Sequence, residues 1–388
     1  MEKSHITLFF SLLFVFSVSA NAVLNINVVR FGAKPDGRTD STQAFLKAWS
    51  FACSSTQSII IYVPGGRFLI KQIVFNGPCK NRDTRFQIDG TLVAPSYKVL
   101  NTENWIYFNN VNGVSITGGT LDGQGSSYWA CRRTGKGCPT GSRNLSFNFG
   151  TNIRIKRLTS INSQMSHIAI NNCNNLLIQG VRIVAPGNSP NTDGIHIQMS
   201  TGVTIRAATI KTGDDCVSIG PGTKNLWIEA SNCGPGHGIS IGSLGQNKVE
   251  QGVSNVTVKN VVFTGTENGV RIKTWARPGN GFVRGVLYQD LIMKNVKNPI
   301  IIDQRYCPQN KGCPGKESGI KISGVTYRNI QGSSATQVAV NFGCSRTNPC
   351  RDIKLQTVKL TYQNRIAKSY CQNADGASSG LVLPQSCL

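Results

Sequence analysis

Short runs of β-branched and aliphatic residues recur along this chain, most of them entered from an Asn or a Gly. One series comprises Val114-Ser-Ile116, Ile153-Arg-Ile155, Leu176-Leu-Ile178, Val203-Thr-Ile205, Leu226-Trp-Ile228, Val256-Thr-Val258 and Val286-Leu-Tyr288. From Ile153 onward its steps are 23, 27, 23, 30 and 30 residues. A second series runs between these, at Ile168, Ile195, Val217, Ile239 and Val270, with steps of 27, 22, 22 and 31 residues. Within each run apolar and polar positions alternate, as in strands with one buried face. Two interleaved strand series with a period of 20–30 residues are the signature of a solenoid. The gaps are too short for the helical crossovers of a doubly wound sheet. The pattern therefore predicts an all-β fold, a single-stranded right-handed parallel β-helix in which each coil stacks on the next. A solenoid grows in length only, so 388 residues need not exceed the size at which a single compact core stops growing.

One segment departs from this pattern. In "QAFLKAWSFAC", Ala44, Phe45, Ala48 and Trp49 fall at helical spacing, and Thr39, Asp40 or Ser41 stands where a cap belongs. A lone amphipathic helix at this place predicts a lid over the first coil.

The extreme N-terminus is of another kind. Glu2 and Lys3 precede an apolar run from Ile6 to Val18, followed by Ala20-Asn21-Ala22. This is the form of a secretory leader cleaved after Ala22, and the run is too short to span a bilayer. The expected organisation is a leader over 1–22 and one β-helical domain over 23–388. Thirteen cysteines suit the oxidising compartment that a leader implies. Pairing sequence neighbours gives Cys53–Cys79, Cys131–Cys138, Cys216–Cys233, Cys307–Cys313, Cys344–Cys350 and Cys371–Cys387, and leaves Cys173 as a free, buried thiol. Zinc is a poor alternative, with four His and no Cys-x-x-Cys pair. In a secreted chain, Asn144-Leu-Ser and Asn255-Val-Thr are glycosylation acceptors. The formal net charge is +23, which outside a cell points to an acidic polymer as partner. No nucleic-acid module is recognisable.

The second strand series carries the chemistry. Two places before Ile195, Val217, Ile239 and Val270 stand Asp193, Asp215, His237 and Asn268, with Asp214 beside Asp215. Coils stack at ~4.8 Å, so Asp193, Asp215 and His237 would be successive rungs of one ladder. Arg271 and Lys273 would project outward from the next coil. Singly, each Asp beside a Gly reads as a turn residue and each cation as part of a solvated face. Together, three carboxylates a few ångströms apart repel unless one keeps a proton or a cation lies near. Paired carboxylates with split pKa values are what glycosidic hydrolysis needs. Calcium binding is the other use of clustered Asp.

Asn191-Thr192-Asp193, Gly213-Asp214-Asp215, Gly236-His237-Gly238 and Arg271-Ile272-Lys273, in that order and spacing, resemble the plant polygalacturonases, pectin-hydrolysing enzymes of β-helical fold. "FGAKPDGRTDSTQAF" near the start, "GGTLDGQG" at 118–125 and "DQRYC" at 303–307 extend the resemblance over essentially the whole chain after the leader. The resemblance implies Asp214 as general acid, Asp193 and Asp215 as activators of water, and His237 as a tuner of the carboxylates. It places Asn191, Arg271, Lys273 and Tyr306 against the substrate. It further implies hydrolysis with inversion of the α-1,4 bonds of de-esterified polygalacturonate, with no cofactor or metal, by a monomer acting in the cell wall. Neither nucleic acid nor, after leader cleavage, a membrane is an expected partner. Cleavage within the polymer is slightly favoured over cleavage from an end, and "CRRTGKGC" at 131–138 is a candidate wall of the cleft.

Two other readings share this fold. A pectate lyase-like enzyme would use a base and calcium and leave an unsaturated product. A pectin-binding protein without catalysis would have no need for Asp193, Asp214, Asp215 and His237 together.

Overall fold

The computed structural model describes residues 23–135 and 137–388; the expected leader lies outside them. The chain winds as a parallel β-helix. The two strand series stack in the register that the sequence spacing predicts. In the first, Ile153, Leu176, Val203, Leu226, Val256 and Val286 are direct partners from coil to coil. In the second, Ile168, Ile195, Val217, Ile239, Val270 and Ile300 form the corresponding row. All point inward and are buried, and the rows fuse into one core along the length of the solenoid.

A third series escapes the sequence pattern. Short strands at Thr159–Ile161, Arg182–Val184, Thr209–Lys211 and Asn232–Cys233 stack as a further side of each coil. Each carries a single inward residue (Ser160, Ile183, Ile210, Cys233), too few for an alternation to register. A left-handed bend joins the first side to the third, with φ near +50° to +65° at Arg157, Gly180, Ala207 and Ala230. Four bends that enter the first side fall on asparagine. Asn152, Asn175, Asn225 and Asn255 all have φ of 53–56°, a conformation Asn tolerates better than most residues. Their side chains bond to one another across coils, Asn175 to Asn152 at 2.6 Å and Asn255 to Asn225 at 2.7 Å.

The predicted helix forms over Thr42–Ser54 and buries Ala44, Phe45, Ala48, Trp49 and Ala52. Trp49 packs on Phe75, Phe86 and Phe108, closing the core at the first coils. Of the three candidate caps, the carboxylate of Asp40 acts, accepting the Thr42 N–H at 3.0 Å. A second helix, Ser126–Thr134, sits between the strands ending at Asp122 and beginning at Arg143. All six neighbour disulfides are present, and Cys173 is free and buried.

One sequence expectation is corrected. Asn144 is buried, and its amide nitrogen donates to Ser160 Oγ at 3.0 Å and to the Ile161 carbonyl at 3.1 Å. The Asn-x-Ser pattern is local, whereas the strand register points this side chain into the coil, so the folded chain offers no room for a glycan there. Asn255 is exposed.

Candidate active site

The outward face of the second strand series forms a groove. One side-chain row along it runs Tyr107, Ser146, Ala169, His196, Ser218, Ser240 and Arg271, one residue per coil. Two concavities line it end to end and share His196 and Gln198. One is bounded by Asn191, Asp193, Asp214, Asp215, Lys273 and Tyr306, among others. The other extends toward Glu103, Tyr107 and Arg143. The groove therefore continues past the carboxylates.

Asp193 and Asp215 each lie two residues before a strand of this series, in adjacent loops. The loops are stitched together by Gly194 N–H to the Asp215 carbonyl at 2.9 Å and by His167 N–H to the Asp193 carbonyl at 2.8 Å. The next loop carries His237 between two glycines whose backbone excludes other residues. Gly236 has φ of 133°, and a Cβ there would sit 2.5 Å from the Asp214 carbonyl oxygen. Gly238 has φ of 86°, and its Cβ would meet the Asn268 carbonyl oxygen at 2.1 Å. The Cys216–Cys233 bridge fixes the residue next to Asp215.

The three carboxylates have different surroundings. Asp215 is buried, with only 2% of its side chain exposed. Its Oδ1 accepts from Ser240 Oγ at 2.7 Å and Arg271 Nη2 at 3.0 Å, and its Oδ2 from Lys273 Nζ at 2.8 Å. Burial alone would raise its pKa; Lys273 and Arg271 outweigh burial and hold the carboxyl below its ordinary value. Asp193 has weaker support, a hydrogen bond from Ser218 and the charge of Lys273, neither of which offsets its surroundings. Burial, then repulsion from Asp214 and Asp215, pushes it up to about 7. Asp214 is the more accessible member beside Asp215, with 18% of its side chain exposed. Its Oδ1 accepts the Asp215 N–H at 2.8 Å and lies 3.0 Å from His237 Nδ1. That hydrogen bond raises the pKa of His237, whose Nε2 faces Glu267 at 3.8 Å. The cluster thus holds one carboxylate fixed as an anion, one that keeps a proton to near neutrality, and one bonded to a histidine.

Asp193, Asp214, Asp215 and His237 come together as the sequence ladder predicts, and Asn191, Lys273 and Tyr306 line the same groove. The Tyr306 ring lies 5.2 Å from Lys273 Nζ and 5.9 Å from Arg271 Cζ. Arg271 and Lys273, which singly read as part of a solvated face, have side chains only 9% exposed, and both are bound to Asp215. The cause lies in the stacking: the Asp215 side chain reaches across the Ser240 coil to theirs. Asp214, Asp215 and His237 are close enough to share a metal ion, but both Asp215 oxygens already face cations, so the set fits calcium poorly.

Several groove residues were not singled out in the sequence. Ser240 links Asp215 to Arg271 Nε, which donates to it at 3.0 Å. His196 bonds Ser218 Oγ through Nδ1 at 2.8 Å. Both follow an inward residue by one place, as Arg271 follows Val270, and this shared parity is the signal that identifies them. The "CRRTGKGC" segment continues from the helix Ser126–Thr134, whose Tyr128 and Trp129 pack with Ala185 and Met165. This places the helix beside the loop that leads to Asn191 and Asp193.

Over 383 residues the chain is 59% identical to a protein named polygalacturonase from Prunus persica, covering 97% of this chain and 98% of that one. It is 42% identical to an exopolygalacturonase from Platanus acerifolia, covering 94% and 98%. Among solved structures, a polygalacturonase from Erwinia carotovora matches with a TM-score of 0.73 and 25% identity, over 88% of this chain and 94% of that one. An endo-xylogalacturonan hydrolase from Aspergillus tubingensis shares the fold, with a TM-score of 0.80 and 22% identity over 92% and 100%. Residues 53–382 match the family described as Glycosyl hydrolases family 28, and the chain belongs to that family.

Proposed function

We propose that this protein is a polygalacturonase that hydrolyses α-1,4 bonds between galacturonate units of de-esterified pectin, with inversion. The observation that carries the reading is the set of three adjacent carboxylates, one held as an anion by two cations and one bonded to a histidine, in a groove that also presents Lys273. The naming of its relatives supports it.

In this mechanism Asp214 protonates the glycosidic oxygen of the leaving sugar. Asp193 and Asp215 hold a water on the other side of the anomeric carbon and take its proton as it attacks. In the free groove, the proton retained to highest pH resides on Asp193. Asp193 titrates together with its neighbours, so the proton it holds in the free groove can leave it when a sugar is bound. Arg271 and Lys273 keep Asp215 an anion, and Lys273 and Tyr306 face the sugar, with the ammonium meeting a galacturonate carboxylate. His237 Nδ1 orients Asp214.

A lyase usually works with calcium beside its substrate, and both Asp215 oxygens already face cations of the chain itself. The groove runs on from the carboxylates past His196 toward Glu103 and Arg143, room for further sugar units that agrees with cleavage within the polymer; relatives carry both polygalacturonase and exopolygalacturonase names. Six disulfides agree with work outside the cell, in the wall. No helix among the described residues is long and apolar enough to cross a membrane.

The test is release of reducing ends from de-esterified and fully methyl-esterified pectin by the purified protein. The expected result is rapid release from the first and a much higher KM on the second. Equal constants on both would remove carboxylate recognition from the account.

A further inference from the structure

From Gly123 to Thr192 the sequence contains no Asp or Glu and eight Lys or Arg. The register gathers much of this excess on one face, and it is not the face with the groove. Arg154, Lys156 and Arg157 lie on the first side of one coil and the bend that ends it. Arg182 lies just past the bend on the next coil, beside Thr159 of the first. Arg206 is two rungs above Lys156, with Gln179 between them. Arg154, Arg157, Arg182 and Arg206 are exposed and Lys156 is half-exposed.

None of the five has an acidic partner within ion-pair distance among the described residues. Arg206 Nη2 donates only to the neutral Gln179 Oε1, at 3.2 Å. The nearest carboxylate below, Asp122, pairs with Ile161 across the coils, is buried and faces Arg67. The nearest above is Glu229, one rung beyond Arg206. A shallow depression of about 270 Å³ lies between Arg154 and Arg206, floored by Leu177 and Thr204.

One rung beyond Thr204 stands Trp227, 41% exposed on an outward strand position. Its indole N–H donates to Glu229 Oε2 at 3.0 Å, which fixes the ring orientation. A tryptophan left on a solvent-facing strand offers a flat apolar face with a polar edge, the shape that takes the C–H face of a pyranose. Rungs repeat every ~4.8 Å, a spacing of the order of one sugar ring. A polymer lying across the coils would therefore meet a new set of side chains with each unit.

We propose that the face bearing Arg154, Lys156, Arg157, Arg182 and Arg206, edged by Trp227, is a second binding site for acidic galacturonan, distinct from the groove. The choice of polymer rests on the polygalacturonase reading of the groove. A second site for the same polymer would hold the enzyme on its substrate, because the second contact forms at high effective concentration. Five cations without acidic partners would supply the attraction, and Trp227 would supply the preference for a saccharide over other polyanions.

The experiment compares the full chain with two variants, the triple substitution Arg154→Gln, Lys156→Gln, Arg206→Gln and the single substitution Trp227→Ala. Each is measured for kcat/KM on a short oligogalacturonide that fits the groove, for retention on insoluble pectate over a salt series, and for retention on a sulfonated cation-exchange resin. The short-oligomer kcat/KM should stay unchanged in both variants, which also shows that they fold. The triple variant should bind pectate at least about tenfold more weakly at low salt. Trp227→Ala should weaken pectate binding several-fold while leaving retention on the resin unchanged. Undiminished pectate retention by the triple variant overturns the second site. Equal losses for Trp227→Ala on pectate and resin overturn its assignment to a saccharide. Failure of the parent chain to cleave the short oligomer would instead count against the reading of the groove, and so is distinguishable from either.

Discussion

Lys273 Nζ lies 2.8 Å from Asp215 Oδ2, with both side chains less than a tenth exposed and one coil, that of Ser240, between them. Residues 58 positions apart in sequence thus form a buried ion pair because the β-helix stacks their coils. Arg271 approaches the other oxygen at 3.0 Å. The pair favours the anion at one of three neighbouring carboxylates.

Replacing Lys273 by Met should therefore do more than weaken substrate binding. Asp215 would lose the larger of the two attractions that hold its pKa down. The acidic limb of kcat/KM against pH should move up by about one unit or more, and the variant should lose roughly 3 kcal/mol of stability, as when one partner of a buried pair is removed. A pH–rate profile and a denaturant titration check this. An unmoved acidic limb would mean that Asp215 does not govern it.

Asp214→Asn should lower kcat about 10²–10⁴-fold or more while leaving the melting temperature and the affinity for oligogalacturonide near those of the parent. The amide keeps the shape and can still accept the Asp215 N–H, but it has no proton to give. Near-normal turnover in a folded Asn variant would transfer the acid role elsewhere, first to Asp193.

Asp193 makes a prediction about stability alone. Its pKa in the folded chain is about 7, against 3.8 ordinarily. Between these values the folded state holds a proton that the unfolded state has released. Stability should then fall as pH rises from about 4 to about 7. Asp215 acts in the opposite sense, its contribution being present above its ordinary pKa and lost as pH falls through its lowered value. Asp193→Asn should flatten the decline between pH 4 and 7, which thermal melts at a series of pH values would show. An unchanged slope would remove the proton from Asp193.

His237 is raised by its bond to Asp214, so its cation persists to higher pH in the folded chain. His237→Ala should move the alkaline limb of kcat/KM to higher pH, because carboxylates that lose a neighbouring positive charge hold their proton longer. If the limb stays in place while kcat falls, the imidazole orients Asp214 without titrating in the mechanism.

Much of this was legible in the sequence because the solenoid converts spacing into adjacency. Steps of 22 or 27 residues between Ile168, Ile195, Val217 and Ile239 place them in direct register, and the residues two places earlier follow. The third strand side was not legible, since its strands offer only one inward residue each. The ion pairing of Asp215 was not legible either. Spacing tells which rung a residue occupies, but not that its side chain reaches over the intervening Ser240 to the next. Asn144 failed for a related reason: an acceptor triplet describes three neighbours in sequence, and the coil decides which way they point.

The most direct measurement of the central claim follows the first products from de-esterified galacturonan by proton NMR, starting at the moment of enzyme addition. The account predicts new reducing ends that are initially the β anomer and only later mutarotate, with no unsaturated end. Initial α anomer would contradict direct attack by water held on Asp193 and Asp215, and an unsaturated product would contradict hydrolysis itself.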